Sequence, residues 1–129
     1  MKMRIILSVI LLSLCSITYA DTLTTDELAQ VAARINKDLP EMIGKSTLLT
    51  SVTVDSTTFH MHYRIVDQNV ADINVARFSR KMKKTMKPTI CSNKTFFNIL
   101  SSGINLEIDL VDQKDHPISN LVYTAKDCK

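Results

Sequence analysis

Apolar residues at Leu28, Val31, Ala32, Ile35 and Leu39 recur three and four positions apart, the spacing of one helix face. Thr24-Thr25-Asp26-Glu27 fits a capping box ahead of them, with Thr24 as N-cap and Glu27 at N3, and Pro40 marks the end. The period then falls to two. Leu48 to Val54 reads as a strand, with Val52 and Val54 on one side and Thr53 opposite. Phe59, Met61, Tyr63 and Ile65 alternate with His60, His62 and Arg64, the pattern of a half-buried antiparallel strand. Asp55-Ser56-Thr57 is a polar turn between the two runs, which predicts a hairpin.

Asp72 is the expected N-cap of a second helix whose buried stripe is Val75, Phe78, Ser79, Met82 and Met86, and Pro88 is expected to close it. Ser92 is expected to cap a short third helix carrying Phe96, Phe97, Ile99 and Leu100, ended by Gly103 at C′. Ile104, Leu106, Ile108 and Leu110 then alternate with Asn105, Glu107 and Asp109. Asp112 to Pro117 is turn chemistry, and a last strand is expected from Ile118 to Ala125. Helix, hairpin, two helices, hairpin is an α+β order. It predicts an antiparallel sheet of about four strands, with an N-terminal helix and two central helices packed on its apolar face.

The first twenty residues stand apart from this pattern. Lys2 and Arg4 precede an apolar run from Ile5 to Leu14, and Thr18-Tyr19-Ala20 places small residues where a signal peptidase reads. The run is too short for a membrane anchor. The reading is a cleavable signal over 1–20, Asp21 as mature N-terminus, a single domain over 21–129 and a periplasmic location. Cys15 follows bulky Leu14, a poor lipidation site, so membrane association is expected only through a partner unless Cys15 is lipidated. Cys91 and Cys128 remain as an even pair in an exported domain, which predicts one disulfide closing the fold.

Beyond Ala20 the chain holds 14 basic and 13 acidic residues, a balance that argues against nucleic acid or a membrane surface as partner. The charge is uneven. Arg77, Arg80, Lys81, Lys83, Lys84 and Lys87 crowd the second helix, on the side away from its apolar stripe. That face reads as a docking surface for an acidic partner or as a solubilising surface. Asn93-Lys94-Thr95 matches a glycosylation acceptor, relevant only in a eukaryotic secretory pathway.

Candidate chemistry is sparse. His60 and His62 share one side of their strand and, with His116, would make three metal ligands, but no carboxylate lies near them in sequence. Glu107 and Asp109 likewise share a strand face. Both pairs read as the wet side of a sheet, so no metal and no cofactor is expected. There is no nucleophile elbow, no free cysteine and no glycine-rich phosphate loop, so no enzyme is expected.

Leu39-Pro40 after the first helix, Cys91, the run Leu100-Ser101-Ser102-Gly103-Ile104 with its alternating strand, and the closing Asp127-Cys128 together resemble the small pilotins of type II secretion systems. The likeness runs from about Asn36 to Cys128. It implies a disulfide-closed helix-and-sheet domain that binds the C-terminal tail of a secretin subunit, folded as a helix, and escorts it to the outer membrane. The functional expectation is therefore a non-enzymatic periplasmic binding protein or chaperone with a protein partner in the cell envelope. The alternative is a periplasmic inhibitor or immunity protein. The expected partner site combines the basic residues Arg77, Arg80, Lys81 and Lys84 with an apolar groove beside Phe96, Phe97 and Leu100.

Overall fold

The computed structural model describes residues 23–55 and 57–129; the signal segment, Cys15 and Asp21 lie outside them. Helix α1 spans Thr25–Asn36 and starts with the expected capping box, Thr24 accepting from the Glu27 N–H and Glu27 from the Thr24 N–H. Strands β1 (Glu41–Met42), β2 (Thr47–Val54) and β3 (Thr58–Ile65) follow. A 3₁₀ turn at Val70–Asp72 leads into α2 (Val75–Ser92), then α3 (Lys94–Ser101). Strands β4 (Asn105–Val111) and β5 (Pro117–Tyr123) and a 3₁₀ turn at Ala125–Cys128 complete the order.

The sheet has five strands in the order β1-β2-β3-β4-β5 and is mixed, not the four-stranded antiparallel sheet that the alternation suggested. Both hairpins form, β2 with β3 and β4 with β5. Between them, β3 and β4 pair in parallel. Period-two patterning is the same for either strand direction, so it carries no information on this point. The long connection through α2 and α3 carries the chain from the end of β3 back to the end of the sheet where β3 began, so β4 starts beside Thr58 and runs parallel. β1 is only two residues long, too short to show any alternation.

Three helix boundaries also move. Asp72 belongs to the 3₁₀ turn, and Asn74 caps α2 by accepting from the Arg77 N–H at 3.0 Å. Pro88 lies inside α2 rather than closing it. The proline deprives the Lys84 carbonyl of its intrahelical donor, but buried Ile90 and the bridge at Cys91 hold the last turn against the core. Ser92 ends α2, and Asn93 caps α3 instead, accepting from the Phe96 N–H at 3.1 Å. The last strand stops at Tyr123.

The core lies between one sheet face and the helices. Phe59, Met61, Tyr63 and Ile65 of β3, Leu106, Ile108 and Leu110 of β4, and Leu121 and Tyr123 of β5 point into it. Leu28, Ile90, Ile99 and Leu100 meet them from the helices. Cys91 and Cys128 are bonded, tying the end of α2 to the terminal turn. Among the described residues, no helix is long and apolar enough to cross a membrane.

Candidate functional site

An apolar groove of about 430 Å³ opens where α2 stands off the sheet beside β1 and β2. Its floor is Leu49, Met61 and Tyr63 from the sheet, and its walls are Met82, Thr85, Met86 and Thr89 of α2, with Ile43 and Phe96 at its ends. The spacing of the α2 residues explains the wall. Positions 82, 85, 86 and 89 fall on one helix face, and two flexible methionines there give a surface that repacks around an apolar ligand. Ile43 follows β1 and is 46% exposed, so the rim carries an unusually bare hydrophobic. Burial pushes the Tyr63 hydroxyl up to about 12, so the floor is uncharged.

The sequence-predicted partner residues do not share one surface. Phe96 borders the groove and packs against Phe59, ring centroids 6.4 Å apart. Phe97 points elsewhere, 44% exposed beside Ala125 and Cys128. Leu100 is 1% exposed and belongs to the core, and it also lines the shallow pocket beside Phe97. Arg77, Arg80, Lys81 and Lys84 are all exposed on α2. At 100° per residue, Arg80 and Lys84 lie roughly opposite Met82 on the helix, facing away from the groove. The groove residues missing from the sequence reading, Ile43, Thr47, Thr85, Thr89 and Ile90, had a partial signal: the α2 stripe continues to Thr85 and Thr89 at helical spacing.

The histidines separate as well. His116 sits in the β4–β5 turn, its Nδ1 3.4 Å from a carboxylate oxygen of buried Asp112, and does not join the other two. His60 and His62 lie on the sheet face opposite the core, where the parallel register sets His60 beside Glu107 and His62 beside Asp109. Carboxylates do reach His60, two from the neighbouring strand and a third, Asp55, from the turn of its own hairpin, five residues away and not counted as a neighbour in the sequence reading.

Residues 17–129 match the model of the family described as "Putative quorum-sensing-regulated virulence factor". The chain belongs to this family. No curated protein sequence matches it. Among solved structures, this family member is similar to a "putative secreted protein" of Pseudomonas aeruginosa, with TM-score 0.68 and 18% identity over 81% of this chain and 92% of that one. It is similar also to EpsS, the type 2 secretion pilotin of Vibrio vulnificus, with TM-score 0.67 and 15% identity over 81% and 91%. The type II secretion pilotin AspS of Vibrio cholerae gives TM-score 0.62 and 17% identity over 81% and 91%. The resemblance to pilotins read from the cysteines and the Leu-x-x-Gly-Ile junction is thus matched in three dimensions, as a shared fold.

Proposed function

We propose that this protein is a non-enzymatic periplasmic binding protein of pilotin type, which takes an amphipathic helical segment of an envelope or secretion-system component into the groove beside α2. The C-terminal tail of a secretin is the segment the shared fold favours. The observation that carries the reading is the groove itself: open, apolar and walled by one face of α2. A helix lays spaced apolar anchors into such a groove. Arg80 and Lys84 point away from it, so they act at a distance, steering an acidic tail rather than gripping it.

Titration of the chain beyond Ala20 with a secretin tail peptide, followed by calorimetry, tests this. Thr85→Arg and Thr89→Arg place charge in the groove at exposed positions and are expected to weaken binding at least tenfold with the fold intact by circular dichroism. Arg80→Glu with Lys84→Glu is expected to slow association at low salt and leave dissociation unchanged. A tail peptide that does not bind, or binds these groove variants as well as the native chain, overturns the proposal.

A further inference from the structure

The sheet face remote from the groove carries a constellation that peptide binding does not use. His60 on β3 stands beside Glu107 and Asp109 on β4 because the two strands run parallel in that register. His60 Nδ1 lies 3.7 Å from Glu107 Oε2 and 3.8 Å from Asp109 Oδ2. We propose that His60, Glu107 and Asp109 bind a divalent transition-metal ion of the zinc class.

Each ligand is held from outside. His60 Nε2–H donates to Asp55 Oδ2 at 3.0 Å, which fixes the ring and turns the Nδ1 lone pair toward the carboxylates. Asn120 Nδ2 donates to Glu107 Oε1 and to Asp109 Oδ1, leaving the other oxygen of each carboxylate facing His60. Asp55 is itself anchored by the backbone N–H groups of Thr57 and Thr58, both at 2.9 Å. This outer set of a carboxylate on the histidine and a donor on each acid is what orients ligands around a bound metal. His62 adds to it, with Nδ1 3.4 Å from Asp109 Oδ2 and Nε2 sharing a hydrogen bond with Thr53 Oγ1 at 3.1 Å.

The distances leave room for an ion. Gaps of 3.7 and 3.8 Å exceed a hydrogen bond. Ligand atoms bonded tetrahedrally at about 2.1 Å to Zn²⁺ sit about 3.4 Å apart, so small side-chain rotations close the site. One imidazole nitrogen with two carboxylate oxygens suits zinc and its neighbours better than Mg²⁺ or Ca²⁺, which favour all-oxygen shells. The three side chains are 23%, 26% and 33% exposed, so the fourth position faces solvent and takes water.

The test uses tag-free, disulfide-bonded protein titrated with Zn²⁺ at neutral pH, read by calorimetry and by thermal unfolding. One ion per chain is expected. At a hundredfold excess over Kd, Tm is expected to rise by about 10 °C. Glu107→Gln and His60→Ala are expected to abolish binding, and Asp55→Asn to weaken it about 10- to 100-fold. His116→Asn is expected to change nothing, and Mg²⁺ and Ca²⁺ not to compete. If His60→Ala does not fold, the isosteric Glu107→Gln decides alone. No binding at millimolar Zn²⁺, or binding that survives Glu107→Gln, overturns the assignment.

Discussion

Two polar side chains pull the stability of this domain in opposite directions. Asp112 is fully buried, yet one carboxylate oxygen accepts from the Val70 N–H at 2.9 Å and the other from Lys114 at 2.8 Å and His116 at 2.9 Å. Burial works to raise its pKa, but these N–H groups favour the charged form more, and the carboxyl is held below its usual range. A folded pKa below the unfolded one means stability that is present above the unfolded value and lost as pH falls through the folded value. Unfolding midpoints in urea are therefore expected to hold down to about pH 4 and drop below it. Asp112→Asn should lower the midpoint at pH 6 and flatten the acid drop, and an unchanged acid limb would refute this role. Ser79 is the opposite case, since its Oγ is buried on α2 with no partner among the described residues. Ser79→Ala removes an unsatisfied hydroxyl and improves helix propensity, so a gain of about 1 kcal/mol is expected in the same assay.

At the scale of elements, the junction between α3 and β4 turns on one glycine. The Gly103 N–H bonds to the Leu100 carbonyl at 3.0 Å and the Ile104 N–H to Ile99 at 3.3 Å, a left-handed cap with Gly103 at φ +82°. A Cβ there would meet nothing within 4 Å, so Gly103→Ala carries only the backbone penalty, about 1 kcal/mol. Gly44 has equal space and no such φ, so Gly44→Ala is expected to be neutral, and equal effects at both glycines would exclude the cap argument. Gly103 was legible in the sequence, as were the Thr24 cap, both hairpins and the inward set from Phe59 to Ile65, because each rests on neighbours in the chain. Glu107 and Asp109 as partners of His60 were not. Their proximity depends on whether β4 runs with β3 or against it, and alternation is blind to direction. The burial of Leu100 was not legible for a related reason: helical spacing shows an apolar face but not how much sheet lies beneath it. Pro88 misled because the burial of Ile90 and the bridge at Cys91 outweigh a local helix penalty.

Across the whole molecule, the groove and the His60 cluster lie on opposite faces of the sheet, and α2 is the element on which the groove depends. Its middle is fixed by the buried Tyr123 hydroxyl, which donates to the Lys83 carbonyl at 2.8 Å, one residue before the carbonyl that Pro88 leaves without a helical donor. Its far end is fixed by the covalent bond from Cys91 to Cys128, across 37 residues that include α3, β4 and β5. Closing a loop of that length in the unfolded chain stabilises the fold by about 4 kcal/mol in the chain-entropy model. Domains of this size hold roughly 5–15 kcal/mol in total, so the bridge is a large share of the margin. The pairing of Cys91→Ser with Cys128→Ser is expected to lower the urea midpoint by the equivalent of 3–5 kcal/mol, while circular dichroism at low denaturant still shows the native mixture of helix and sheet. The groove should suffer beyond this global loss, because the freed end of α2 forms its wall through Met86 and Thr89. Hydrogen exchange is therefore expected to rise first in the last turns of α2 and in the Ala125–Cys128 turn, and only later in β3 and β4. Uniform acceleration across sheet and helix would mean that the bridge acts on the unfolded chain alone and does not hold the wall of the groove in place.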